Sequence, residues 1–181
     1  LVVSMEAIDL FCDTCWLEDG LSKNSLSAYR RDLMLFARWL DAETSGAKGL
    51  YDVLAADVMG YMSYRRGDKA TTANRRLTVL KRFYRLGIRK HYIKVDPCIN
   101  LRAAKQAPRF PKTLSEAQVE ALLNAPDVDT PLGLRDRTML ELMYASGLRV
   151  SEIVDLKTIE VGLNEGVVRV VSGKGGKVRL V

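Results

Sequence analysis

Ile8, Phe11, Cys12, Cys15 and Trp16 recur at spacings of three and four, the apolar stripe of a helix with 3.6 residues per turn. They predict a first helix over about residues 4–18, ended by Gly20. Ser22 and Ser25 offer N-caps for a second helix. In it Leu26, Tyr29, Leu33, Phe36, Ala37 and Leu40 form the apolar face, with Arg30, Arg31 and Arg38 outside it. A loop over residues 44–49 leads to a third helix over about 56–66. Residues 71–88 carry no proline, and Ala73, Leu77, Leu80, Tyr84 and Ile88 again repeat at three and four. They predict a fourth helix, and Asp96-Pro97 closes the region. Four short helices on short loops make a small bundle.

Residues 102–112 (RAAKQAPRFPK) hold two prolines and no acidic residue, which reads as an extended interdomain linker. A capped helix is expected over about residues 115–124, then a loop with Pro126 and Pro131. A buried helix follows through Met139, Leu140, Leu142, Met143 and Tyr144, and after Gly147 the chain restarts over residues 149–156. The runs GVVRVV (166–171) and KVRLV (177–181) flank Gly173-Lys174-Gly175-Gly176, a β-hairpin signal. Val168, Val170 and Leu180 are expected to find little to bury against.

Hydrophobic residues make up 48% of the 181 and charged residues 28%, enough for a packed core. No stretch free of Asp, Glu, Lys and Arg exceeds seven residues, whereas a membrane-spanning helix needs about 20 mostly apolar ones. The start, LVVSME, has no secretory pattern, and a cytoplasmic protein is expected. Three cysteines are too few to staple the fold, so reduced thiols are expected. Cys12 and Cys15 have C-x-x-C spacing but lie on or beside an apolar helix face, and they read as core residues. No metal site is expected.

The net charge of +6 is concentrated: residues 65–112 carry 15 basic and two acidic side chains. This is the footprint of a polyanion-binding surface. At about 100° per residue, Thr71, Arg75, Thr78, Arg82 and Arg85 fall within about 80° of one another, opposite the fourth helix's apolar stripe. With almost no acidic residue nearby in sequence, these arginines are expected to be free for duplex DNA. There Arg reads guanine edges and both residue types anchor phosphates. Arg30 is added as a further DNA contact.

The run MYASGLRVSE, residues 143–152, resembles the first conserved box of the tyrosine site-specific recombinases, the phage integrase family, in its Xer branch. LSAYRRDL (26–33) and residues 112–123, 135–152 and 167–181 agree with that family in order. The resemblance implies a mainly α fold: a four-helix SAM-like core-binding domain over residues 1–106, with a linker to about 112. Residues 113–181 would be the incomplete start of an α+β catalytic domain ending in a β-hairpin. It implies DNA strand cleavage and rejoining through a 3′-phosphotyrosyl intermediate, in chromosome dimer resolution, with no metal or nucleotide cofactor. The implied partners are a double-stranded recombination site, a XerC-type subunit and the FtsK translocase, with no membrane.

By the same resemblance Arg149 would clamp the scissile phosphate. Lys174, with Lys177 competing, would protonate the leaving 5′ oxygen. Glu152 would orient the site, an ordinary surface ion pair being the competing reading. The family's second arginine, its histidines and its nucleophilic tyrosine lie C-terminal to the hairpin. His91-Tyr92-Ile93-Lys94 only mimics a family spacing, and Tyr144 reads as core. The 181-residue chain is therefore expected to bind DNA without cutting it. The alternative is a non-catalytic DNA-binding module that occupies recombination sites.

Overall fold

The computed structural model describes residues 2–105, 113–171 and 178–181. The chain divides into two compact units, Leu1–Pro108 and Arg109–Val181. The first holds four helices: α1 (Val2–Asp19), α2 (Lys23–Glu43), α3 (Ala55–Tyr64) and α4 (Ala70–Arg89). Their starts and stops follow from local chemistry. Gly20 ends α1 at φ +60°, a conformation glycine adopts without steric cost. The Ser22 hydroxyl accepts the Ser25 N–H at 3.3 Å and caps α2. At α3, Asp57 accepts the Leu54 N–H at 2.8 Å and Lys48 at 2.8 and 2.9 Å. These bonds outweigh the cost of partial burial and hold its carboxyl below the usual range.

The core of this unit is rich in aromatic rings. Phe83 of α4 sits 5.4 Å from Phe11 of α1, 5.6 Å from Tyr51 and 5.1 Å from Tyr84, centroid to centroid, within the range where such pairs attract. The α4 apolar face is wider than the expected stripe. Val79 and Phe83 are buried beside Leu77, Leu80 and Tyr84, whereas Ala73 and Ile88 are only half-buried. The cause is that α4 packs on α1 and on the Tyr51 loop as well as on α2, so more than one side of it is covered. Cys12, Cys15 and Cys98 are free and buried, as expected of core thiols.

The second unit runs α5 (Glu116–Asn124), α6 (Pro131–Ser146), α7 (Val150–Val154), a 3-10 turn (Thr158–Glu160), then β1 (Val161–Gly162), β2 (Val167–Val170) and β3 (Arg179–Leu180). Ser115 and Gln118 cap α5 reciprocally, at 3.3 and 2.9 Å. Pro131 opens α6 behind the Thr130 cap, and Gly147 closes it at φ +63°. The expected strand pairing forms: β2 pairs antiparallel with β3, Arg169 facing Leu180 and Val170 facing Arg179. Strand β1, which the sequence pattern did not signal, extends the sheet to the order β1-β2-β3. It is two residues long, too short to show an alternation.

Two expectations for this unit are corrected. Helix α6 is not buried: Gly133 is its one buried residue and Tyr144 is 67% exposed. Met139, Leu142 and Met143 pack on the small core and α5 lies along another part of the helix, but apolar character does not bury a side chain that nothing covers. Val168 and Val170 do find partners. Alternate residues of a strand share a face, and this pair joins Leu148 and Ile153 in a small core, while Leu180 stays exposed.

Among the described residues, 18 buried hydrophobic side chains form the first core and four form the second. Local stability scales with such burial. Amide hydrogen exchange followed by mass spectrometry is therefore expected to be slow over residues 4–90 and fast over residues 113–181. Equal protection of the two parts would contradict this expectation.

Candidate functional site

The first candidate surface is the outer side of α4. Thr71, Arg75, Thr78 and Arg85 are exposed and Arg82 is half-buried, so helical geometry sets the five together as the sequence predicts. The expectation that the arginines are free of acidic partners is corrected. Arg75 pairs with Asp32 of α2. Arg82 pairs with Asp19 at the end of α1 at 2.5 Å and lies 5.8 Å from the centre of the Tyr29 ring. Arg30 of α2 pairs with Asp9 of α1. The acids are absent from the basic segment but arrive from other helices. Arg85 has no ion partner among the described residues.

These ion pairs position the arginines without spending them. The Arg75 side chain is still 46% exposed beside its carboxylate and keeps donors turned to solvent. A phosphate can therefore compete for the guanidinium. Asp32 is buried, and burial pushes its carboxyl above the usual range despite Arg75 and Arg76 beside it. It ties α4 to α2 from below, so the face keeps its geometry. The connecting chain is also fastened to this helix. Asn74 donates to the Ala104 carbonyl and accepts the Ala104 N–H, both at 2.8 Å, and Lys81 donates to the Leu101 carbonyl.

The second candidate site lies at the start of α7. Arg149 is its N-cap, and Glu152, one turn on, turns back toward it. The Arg149 N–H donates to Oε2 of Glu152 at 2.8 Å and its guanidinium to Oε1 at 2.9 Å. Glu152 is 4% exposed, a buried carboxylate and not a solvated one. The Arg149 side chain is 58% exposed and keeps donors without a protein partner among the described residues. Arg179 of β3 grips both oxygens of the same carboxylate, each at 2.8 Å. The Arg179 fork, the Arg149 N–H and the Arg149 guanidinium together hold the Glu152 carboxyl well below the usual range, against the cost of desolvation.

Sequence reasoning missed Arg179 and the acids that orient α4. The available signal for Arg179 was an arginine between Val178 and Leu180 in a short strand, where an inward-facing charge demands a partner. Lys174 and Lys177 lie outside the described residues. His91 is exposed at φ +60° in the turn after α4 and joins neither site. Among the described residues no cluster of His, Cys, Asp and Glu could hold a metal, and no helix is long and apolar enough to cross a membrane.

One unit thus holds a buried carboxylate presenting an arginine fork, and the other an arginine-faced helical bundle. Sequence comparison is specific. Residues 112–181 match the phage integrase family and residues 8–91 the phage integrase N-terminal SAM-like domain. The chain belongs to the phage integrase family of tyrosine recombinases. It is 63% identical over 179 residues to the tyrosine recombinase XerD of Ralstonia nicotianae, covering 98% of this chain and 57% of that protein. It is 48% identical over 174 residues to XerD of Pseudomonas aeruginosa, covering 96% and 58%. The chain thus spans a little over half the length of these relatives. Its fold is similar to that of a lambda integrase tetramer bound to a Holliday junction, with a TM-score of 0.69 at 20% identity, covering 97% of this chain and 49% of that one. It is also similar to the Tn1549 transposon integrase in complex with circular intermediate DNA, with a TM-score of 0.62 at 18% identity, covering 97% and 58%.

Proposed function

We propose that this chain supplies the DNA-binding domain and the first part of the active site of a XerD-like recombinase that breaks and rejoins DNA at specific sites. The first unit would be the core-binding domain, gripping duplex DNA through Arg30, Thr71, Arg75, Thr78, Arg82 and Arg85. The second would be the beginning of the catalytic domain. The observation that carries the reading is Arg149, an exposed guanidinium locked on a buried carboxylate within the box that resembles the family's. A planar fork matches two non-bridging oxygens of a phosphodiester. Fixed in advance by Glu152, it stabilises the charge that builds on a pentacoordinate phosphorus without reorganising during the reaction. Lys174 as the proton donor to the leaving 5′ oxygen, chromosome dimer resolution in the cytoplasm, a XerC-type partner subunit and the FtsK translocase rest on the resemblance.

The 181-residue chain is proposed to bind DNA without cutting it. Tyr144 is exposed, so burial does not keep it from acting as a nucleophile. It is the one tyrosine of the second unit, and the other six belong to the first. A nicked suicide duplex incubated with the chain should show a retarded complex on a native gel and no covalent band on a denaturing gel. A covalent band would overturn the inactivity of this chain, and its disappearance in Tyr144→Phe would name the nucleophile. Absence of any retarded complex would overturn the DNA-binding reading itself.

A further inference from the structure

We infer that Arg179 is a positioning residue for the phosphate clamp: through Glu152 it holds Arg149, so β3 and the clamp form one linked unit. The inference rests on the reading of Arg149 as a phosphate ligand and adds a residue to it.

The geometry is a shared carboxylate. Oε1 of Glu152 accepts from the guanidinium of Arg149 at 2.9 Å and from that of Arg179 at 2.8 Å. Oε2 accepts from the Arg149 N–H and from the second arm of Arg179, both at 2.8 Å. A carboxylate offers about four lone-pair sites, and here all four are taken. Glu152 is nearly inaccessible, whereas the Arg179 side chain is about one-third exposed and that of Arg149 more than half. The two arginines divide the work. Arg179 spends both arms of its fork on the carboxylate, while Arg149 spends one donor there and keeps the rest for a ligand.

Removing Arg179 would leave Glu152 buried with half its bonds unmade, which is costly for a charged group. The carboxyl would take up a proton at a higher pH, and in the neutral form it would lose one acceptor site and its charge. Arg149 would then be held by a weaker and less directional bond. Arg179 faces Val170 across the sheet and lies five residues after Lys174 in sequence. Strand β3 is therefore linked to Arg149 through a single carboxylate. In the first unit the acids that orient arginines each meet exposed solvent on one side or serve α2–α4 packing. Asp32 there shows a related arrangement, a buried carboxylate between exposed Arg75 and buried Arg76.

The test follows the Arg149 side chain in the 181-residue chain by nitrogen-15 NMR of its Nε–H, assigned with Arg149→Lys, while the pH is lowered. Glu152 ionises below the usual range in the folded unit, so the unfolded chain binds the proton first. Its contribution to stability is present above about pH 4.3, the ordinary glutamate value, and is lost as pH falls toward the folded value. In the wild-type chain the Arg149 signal should hold steady through about pH 4. In Arg179→Met it should shift with a midpoint raised into or above the ordinary carboxylate range, and in Arg179→Lys, which keeps the charge but not the fork, with a midpoint between the two. The methyl signals of Ile153, Val168 and Val170 report folding. If Met unfolds the unit, the Lys variant alone decides. Identical titration of Arg149 in wild type and in a folded Arg179 variant overturns the inference.

A second measurement separates this inference from the function it rests on. Affinity for a 30-base-pair duplex of fixed sequence, measured by fluorescence anisotropy, should fall about tenfold on Arg149→Ala in the wild-type background, as for loss of a charge-assisted bond. In the Arg179→Lys background the same change should cost about threefold or less, since the clamp is already loosened. Equal losses in both backgrounds overturn the positioning role. No loss in either background overturns the phosphate-clamp reading, while the pH response of Arg149 would still stand.

Discussion

Replacing Arg75 and Arg82 together by alanine is expected to weaken duplex binding and to flatten its salt dependence by about 0.9 log units of slope for each phosphate left unneutralised. Both arginines also make ion pairs within the bundle, with Asp32 and Asp19, so a fall in affinity alone does not distinguish a direct role at the DNA from a loosened helix. The slope does, because it counts displaced counterions. A second variant sharpens the distinction. Asp19→Asn removes the protein partner of Arg82 and leaves the arginine itself. If Arg82 meets phosphate, Asp19→Asn holds or raises affinity. If Arg82 only staples α4 to α1, the variant reproduces the defect of Arg82→Ala. An unchanged salt slope in the double alanine variant would remove α4 from the DNA interface.

The largest loss of stability is expected from Phe83→Ala. Phe83 is 2% exposed and touches the rings of Phe11, Tyr51 and Tyr84. Truncating a phenylalanine at such a site costs about 3–5 kcal/mol, from reduced burial and from the cavity left behind. Domains of this size have about 5–15 kcal/mol in all. Urea unfolding followed by circular dichroism should show the helical transition moved to much lower denaturant. Signals of the second unit, which has its own core, should keep their midpoint. A cost under about 1.5 kcal/mol would mean that neighbouring rings refill the space, in the manner of a volume-conserving swap.

Local features were legible in the sequence to within a residue or two. Ser22, one of the caps offered for α2, caps it, a capped helix starts at Ser115, Gly20 and Gly147 stand at the stops, and β2 pairs with β3 around the glycine run as expected. Each of these depends on neighbours close along the chain. Interactions across long separations were not legible. Asp32 and Arg75 lie 43 positions apart, and Glu152 and Arg179 lie 27 apart, so no short window of sequence contains both members of either pair. Helix α6 shows the converse failure. Met139, Leu142, Met143 and Tyr144 have equal claims on a core by composition, yet the first three meet the small core and Tyr144 faces outward. The chemistry at Arg149 was legible through its motif, whereas the second arginine that steadies it carries no motif of its own.

The three cysteines bear on how the molecule can be observed. All are buried, and burial raises each thiol, Cys98 to about 12. Burial thus disfavours the thiolate, the form that attacks maleimides, and also keeps the reagent from the sulfur. The natural sequence therefore serves as its own unreactive background for site-directed dyes. A single cysteine introduced at an exposed position such as Glu120 would take up the fluorophore alone, with no need to delete the resident thiols and disturb the packing they complete.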